Sequence, residues 1–424
     1  MGNGDKKIYT REEVDKKNFF LSVLNGTLFR AGFEYINAFT ILSVFIHTLT
    51  GSVALAGLSQ FFQSFFSQLG RVVTAPKIHT IKNQPKYMAR ANLSARIMWL
   101  VLALLLFFNV GKAVLVPCIF AIIAVSWYMG GKIWPVFDDH FARTIMPRRR
   151  GELLGARELW GGIAAFAGTF AVKIVLGSNL AFNNKYGLLF LLGFIFLISS
   201  GLPFFAMKDI DHKVDANPMP LGKILRNIKN ILIEDKNFRW YLIMRCIWVV
   251  TDSALLLSLI AVKEAGSLDD LTVSYLLIAQ TVGRIGGGVL WGKVAKISGS
   301  RNAVIVIQIC NIVTSAAMIA IVGQASVSTL IYIIVSFVVG IITPAVLVNF
   351  VYFSETTHIK KRPIFMTIEG LVSMPLAFVS YLFGAVAEKF GFAPIYISLI
   401  AGSAAILAVA VFKLLKKHEI DADN

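Results

Sequence analysis

Apolar runs of about 20 residues, separated by short polar stretches, recur along the whole chain. They fall at roughly 19–46, 53–76, 97–111, 113–138, 154–176, 187–207, 240–262, 272–292, 302–322, 329–353, 364–386 and 394–412. About 20 mostly apolar residues suffice to cross a bilayer as a helix. Several runs are joined by turns as short as Gly111-Lys112 and Gly323-Gln324. The pattern predicts an all-α polytopic membrane protein with about twelve transmembrane helices. The longest polar stretch, 208–239, falls midway and sets the expected organisation. This comprises an N-terminal segment 1–18, a six-helix bundle 19–207, the linker, a second bundle 240–412 and a tail 413–424.

Composition agrees with this pattern. The 424 residues are 56% hydrophobic and 15% charged, against about 25% charged in ordinary soluble domains. Cys118, Cys246 and Cys310 lie in apolar stretches without a CxxC or His-rich neighbour and read as packing residues. The polar start runs directly into a long helix with charges at its centre, which is the wrong shape for a cleavable signal.

A net charge of +17 first suggests a nucleic-acid partner. Threading the chain alternately from a cytoplasmic N-terminus removes that need. Of 41 Lys and Arg, 30 then fall in cytoplasmic segments, 4 in outer loops and 7 within spans. That is the positive-inside bias, and it places both termini in the cytoplasm of a cell-membrane protein. Within the linker, Ile224, Leu225, Ile228, Ile231 and Leu232 form one helical arc opposite Lys223, Arg226 and Lys229. Such a helix is expected to lie on the anionic inner leaflet.

The two halves echo each other. Arg30 and Arg245 stand 215 residues apart, Gly70-Arg71 and Gly283-Arg284 213, and Arg148-Arg149-Arg150 and Lys360-Lys361-Arg362 212. Three matches at nearly one offset indicate a duplicated half, an architecture used by secondary transporters.

With twelve spans, a duplication and a central loop, the chain resembles the major facilitator superfamily over nearly its whole length. The most specific segment is Gly292-Lys293-Val294-Ala295-Lys296-Ile297-Ser298-Gly299-Ser300-Arg301 after span eight, similar to the family's loop signature. Pro147-Arg148-Arg149-Arg150-Gly151, with Gly155 and Arg157, resembles the family's loop between spans four and five. After span two, Pro76-Lys77-Ile78-His79-Thr80-Ile81-Lys82 keeps the basic charge but lacks the glycine and the acid, and Lys296 stands where an acid is often seen. Span five has Gly161, Gly162 and Gly168 without the proline typical of drug/proton antiporters. The resemblance implies a central cavity lined by spans one, four, seven and ten.

Charge inside a span costs at least about 2.5–3.5 kcal/mol and marks candidates for function. Arg30 and Glu34, at i,i+4 in span one, can pair, and Arg245 and Asp252 share a face of span seven. Trp127, Tyr128 and Lys132 in span four and Asn349 and Tyr352 in span ten complete the expected substrate and coupling set. A static Arg30–Glu34 brace is the alternative. Gating or structural roles are expected for Arg71, Asp138, Asp139, Arg157, Glu158, Arg284, Gly292, Lys293, Lys296, Gly299, Arg301 and Glu369. Asp138 and Asp139 could supply the acids missing from the signature, and Arg71 and Arg284 are expected to bridge the halves.

Gly283-Arg284-Ile285-Gly286-Gly287-Gly288 follows no strand, so it reads as close helix packing rather than a dinucleotide site. The sequons at Asn25 and Asn92 fall on or near the cytoplasmic side, and no Walker A, HExxH or GxSxG pattern occurs. The expected function is alternating-access transport of a small polar or amphipathic solute, with a proton as coupling ion and no cofactor or metal. The chain is expected to act as a monomer in the bilayer. The alternatives are an uncoupled facilitator, a sensor or an intramembrane enzyme. Single cysteines at Asn3, Asn217 and Asn424 are expected to react with an impermeant thiol reagent only from the cytoplasmic side, and one at Ser178 only from outside. Labelling of position 217 in intact cells would contradict the span count.

Overall fold

The computed structural model describes residues 11–37, 40–210, 221–255, 257–266, 268–322, 327–357 and 362–414. Residues 211–220 of the central linker, both chain ends and Lys360-Lys361 lie outside these residues, as do the side chains of Glu158 and Lys296.

The described residues are almost wholly helical, and the helices group into twelve spans. Span one is α1 (Arg11–Ile36) with α2 (Ile41–Thr50), and span two is α3 (Val53–Thr74). Span three is α4 (Gln84–Phe107), and span four is α5 (Lys112–Gly131) with α6 (Ile133–Thr144). Span five is α7 (Pro147–Leu176), and span six is α8 (Phe182–Ser199) with α9 (Leu202–Ala206). The linker helix α10 (Leu221–Glu234) leads to span seven, α11 (Lys236–Leu255) with α12 (Ser258–Ala265). Spans eight and nine are α13 (Asp270–Ser298) and α14 (Ser300–Val322). Span ten is α15 (Thr329–Ile342) with α16 (Val346–Thr356), joined by a 3-10 turn at Thr343–Ala345. Span eleven is α17 (Arg362–Leu376) with α18 (Val379–Phe390), and span twelve is α19 (Ala393–Phe412). Ten of these are long and apolar enough to cross a membrane as single stretches, and the broken span ten is a shorter apolar helix.

Local chemistry starts and stops these helices. Ser52, Asn83, Asp269 and Ser328 cap α3, α4, α13 and α15 by accepting a backbone N–H. Pro147 opens α7, where a missing N–H costs nothing. Gly299 turns the chain at φ 87°, a region open to glycine, and so joins α13 directly to α14.

Span four is interrupted at Lys132 and span ten at Thr343–Ala345, and in spans one and seven the described helices α1 and α11 end at Ile36 and Leu255. The breaks recur at matching places in the two halves, so the duplication extends to backbone geometry. It extends to glycine packing too. A Cβ on Gly70 would stand 2.2 Å from the Tyr128 carbonyl oxygen, and one on Gly131 2.1 Å from that of Ser67, where spans two and four cross. In the second half Gly283 and Gly287 meet Phe337 and Ile341 in the same way, and Gly340 meets Gln280. Helices crossing this closely need small residues at the contact.

The halves meet along two seams. Span two crosses span eleven, where a Cβ on Gly57 would be 2.2 Å from the Ser380 carbonyl oxygen and Ser380 Oγ donates to Gly57 O at 2.9 Å. Span five crosses span eight, where Thr169 and Thr281 hydroxyls lie 3.2 Å apart and Lys173 Nζ sits 4.5 Å from the Tyr275 ring centre. Lys173 thus reaches across to the other half. At the face remote from the N-terminus three polar bridges close the seam. These are His47 Nε2 to Glu264 at 2.8 Å, Lys263 Nζ to Thr48 at 2.9 Å, and Ala54 N–H to Glu388 at 2.9 Å.

Two expectations need correction. Span three starts at Gln84 rather than 97, because its first turns carry charges that a hydropathy reading excludes. Arg96, expected in a loop, is buried, donates to Asn92 Oδ1 at 3.1 Å and lies 5.4 Å from the Phe29 ring centre. The linker helix forms, but Ile228, Ile231 and Leu232 pack against the second bundle, while Arg226 and Lys229 are exposed. That part of its apolar arc is covered by protein.

The glycine crossings give a paired test. Gly283→Ala places a methyl group against the Phe337 carbonyl and is expected to lower stability by about 1–3 kcal/mol, read as a lower melting temperature in detergent. Gly286→Ala, on the same helix with open space around it, is expected to leave melting unchanged or slightly raised.

Candidate functional site

A cavity of about 140 Å³ opens at mid-depth between the halves, at the span two–span eleven seam and against span seven. Span two contributes Gln60, Ser64 and Gln68, which share one face at i, i+4 and i+8. Span seven contributes Arg245, Val249, Asp252 and Ser253, and span eleven Ser373, Met374, Ala377 and Ser380. The end of α11 at Leu255 and the break around Pro375 fall beside this cavity. Irregular backbone at membrane depth is tolerated where it lines such a space.

The pairing of charges differs from the expectation drawn from spacing. Arg245 Nε donates to Glu369 Oε1 at 2.8 Å, and Tyr241 Oη lies 3.3 Å from Glu369 Oε2. Asp252 instead accepts the Trp248 indole N–H at 3.0 Å. Glu369, placed near the end of its span by sequence, therefore belongs to the cavity cluster. Arg245 and Glu369 are brought together by the packing of α11 against α17, which their separation of more than a hundred residues hides.

Glu34 also has a partner beyond its own helix. Its Oε1 accepts from Arg284 Nη2 at 2.5 Å, across the two halves. Arg30 turns its aliphatic stem to span five, where a Cβ on Gly161 would come within 2.9 Å of its Cγ. The duplicated partner of Arg284 behaves differently. Arg71 lies within electrostatic reach of Asp138, as does Arg157, and all three are in the first half. The inter-half contact expected of Arg284 is present in its bond to Glu34.

The remaining candidates sort by depth. Trp127 packs edge-on against Phe33 at 5.9 Å, and Lys132 Nζ lies 5.4 Å from the Tyr128 ring centre. Asn349 and Tyr352 are buried in the second bundle, and Tyr352 donates to Asn237 Oδ1 at 2.9 Å. None of these five lines the cavity described above. Span two supplies much of it, together with spans seven and eleven.

The signature segment is mostly helix. Gly292 and Lys293 are exposed on α13, Gly299 makes the turn, and Arg301 donates to the Ala410 and Val411 carbonyls at 2.7 and 2.6 Å. A cation over the final carbonyls of a helix satisfies groups the helix itself leaves unpaired. Arg157 donates to Ser22 O at 2.7 Å and its guanidinium lies 4.8 Å from the Phe137 ring centre, tying span five to spans one and four.

Near the N-terminal face, Asp139 accepts from Gln84 Nε2 at 2.7 Å and Arg143 Nε at 3.0 Å, and Arg143 also reaches Asp209 at 3.1 Å. Burial would raise the Asp209 carboxyl, but His140, Arg143 and the Gln84 N–H together hold it below the usual carboxylate range. Asp15 pairs with Arg149 here. Both sequon asparagines are buried, Asn25 donating to Ser200 O at 2.7 Å and Asn92 to Leu197 O at 3.2 Å. Some of this was within reach of sequence. The Gln60/Ser64/Gln68 stripe and the i,i+4 spacing of Trp248 to Asp252 and of Asn92 to Arg96 are one-face patterns, whereas the partners of Glu34 and Arg245 leave no local trace.

No protein-family model matches the sequence, and no curated protein matches it. Solved structures do match in fold. A variant of the nucleoside transporter NupG aligns with a TM-score of 0.66 at 11% identity over 94% of this chain and 100% of that one. A D-xylose–proton symporter gives 0.72 at 12% identity over 96% and 99%. A bacterial homologue of the iron transporter ferroportin, in its inward-facing state, gives 0.65 at 12% over 93% and 98%. The chain therefore has the fold of major facilitator transporters. It is a multi-pass membrane protein.

The inter-half pair can be tested directly. Glu34→Gln leaves Arg284 without its carboxylate at mid-depth and is expected to cost about 2–5 kcal/mol, seen as a lower melting temperature. Combining it with Arg284→Gln is expected to recover most of the loss, whereas combining it with Arg30→Gln is not. Recovery with Arg30 instead would return Glu34 to its neighbour on span one.

Proposed function

We propose that the chain is a secondary transporter that carries a small polar solute across the cell membrane by alternating access, coupled to protons through Asp252. The observation that carries this reading is the polar cavity at mid-depth between two duplicated halves, with three polar bridges among the described residues at the face remote from the N-terminus. Transporters of this architecture bind at the midplane between repeats and expose the site by rocking one half against the other. The basic split argues that the termini-bearing face is cytoplasmic, so the bridges at His47–Glu264, Lys263–Thr48 and Ala54–Glu388 close the outer side. On this reading the structure is the inward-facing state. Opening the outer side requires those three bridges to part and the halves to pivot near Glu34–Arg284.

Proton coupling needs a carboxylate whose surroundings change between the two states. Glu34 and Asp252 both lie deep enough. Glu34 is held by Arg284, while Asp252 has an indole N–H for a partner and faces the cavity, which favours Asp252 as the carrier. The fold shared with a D-xylose–proton symporter supports a proton as the coupling ion. We take the working unit to be a single chain surrounded by lipid.

Purified protein in liposomes, screened against mixed solutes under an imposed pH gradient, is expected to accumulate at least one solute. Asp252→Asn is expected to lower that accumulation at least tenfold. Accumulation that survives in Asp252→Asn but is lost in Glu34→Gln would move the proton to Glu34. Accumulation surviving in both would leave a carrier driven otherwise, and no movement of any solute by folded protein would sink the proposal.

A further inference from the structure

The cavity lining holds one guanidinium and one carboxylate, with Glu369 behind the guanidinium. Resting on the reading of this cavity as the solute site, we propose that the solute is a small organic cation with N–H donors, an amine or guanidine, and that it competes with a proton for Asp252.

Charge is the first argument. Among the lining residues Arg245 carries the guanidinium, and Glu369 holds its Nε at 2.8 Å. That pair is neutral as a unit. Asp252 has a neutral donor, the Trp248 indole, as its hydrogen-bond partner. With both carboxylates ionised, the cluster bears two negative charges against one positive. Arg245 is shared between the two carboxylates, and the one negative charge left over is costly when desolvated and is relieved by a proton or a bound cation. An anionic solute would add to the imbalance, and a neutral one would leave it in place.

The hydroxyls and amides lean the same way. Ser253, Ser373 and Ser380 each spend their proton on a backbone carbonyl, of Val249, Glu369 and Gly57 respectively. Each therefore offers the cavity lone pairs. Gln60 donates through Nε2 to Ser43 Oγ at 3.3 Å, and its buried Oε1 has no partner. On the donor side stands the buried Arg245 Nη1, also without a partner. Lone pairs left free by these four residues gather at the lining, and a ligand with N–H donors completes them.

The consequence is a mechanism of exchange. Asp252 can hold the proton or the cation but not both, so arrival of one expels the other. Gradient-driven movement then follows from competition for a single carboxylate, and needs no separate coupling site.

The test uses the full chain in lipid nanodiscs with four probes: putrescine and agmatine as cations, xylitol as a neutral polyol and malonate as an anion. Binding is followed by calorimetry, and proton release by a pH indicator in weak buffer. At least one cation is expected to bind, more weakly as pH falls, releasing up to one proton per molecule bound. Xylitol and malonate are expected not to bind. Asp252→Asn should weaken cation binding at least tenfold and remove its pH dependence, and Asp252→Glu should restore both. Binding of xylitol or malonate in place of the cations, without proton release, would overturn the inference and leave the transport reading standing. Cation binding that persists unchanged in a folded Asp252→Asn protein would overturn it equally. Silence toward all four probes in protein that moves another solute would also overturn it, whereas a protein that moves no solute at all fails the transport reading first.

Discussion

Inside a bilayer no water is at hand to solvate a charge, so each ionic group within the spans must find its partner in the protein. That constraint organises the whole molecule. Arg96 is held by Asn92 and the Phe29 ring, and Arg157 by the Ser22 carbonyl and the Phe137 ring. Arg245 finds Glu369, and Glu34 finds Arg284. The first two lock helices within one half. The last spans the halves, so it holds the domains in register at the depth where they would pivot.

Around these charges the packing follows the duplication. Spans two and four in the first half, and eight and ten in the second, approach until glycine alone fits, which makes each bundle rigid along that crossing. The breaks in spans four and ten interrupt rods that would otherwise run straight through. Rigid crossings beside broken rods suit a protein whose halves move as bodies while a few helices bend. The cavity is nonetheless asymmetric. The second half supplies its charges through spans seven and eleven, and the first half supplies the neutral Gln60, Ser64 and Gln68. Duplicated scaffolds can thus diverge in chemistry without losing their common frame.

Much of the architecture was legible in the order of residues. A hydrophobic run long enough to cross a membrane is a local property, and so is the positive-inside sorting. The twelve spans follow from the first of these, and the offsets of 212–215 between matching motifs disclosed the repeat. Sequence failed at span three, where Arg90 and Arg96 broke the apolar count although the helix continues through them. It also failed for the linker helix, whose amphipathic arc fits a lipid surface and a protein surface equally well.

Pairing of charges between distant spans was beyond it. The spacing of Arg30 and Glu34 permits a pair, and so does that of Arg245 and Asp252, because residues on one helix face are always close enough to be considered. Which neighbour wins depends on what the adjoining helices bring to the same depth, and only the packed bundle decides that. Span eight carries Arg284 to Glu34, and span eleven carries Glu369 to Arg245, leaving Asp252 facing a cavity with an indole for company. Sequence by itself determined that the chain crosses the membrane, how often, and that its halves repeat, because those properties are written in runs of neighbouring residues. The tertiary structure decided where each charge rests, because a charge in a bilayer is placed by partners that lie far away along the chain.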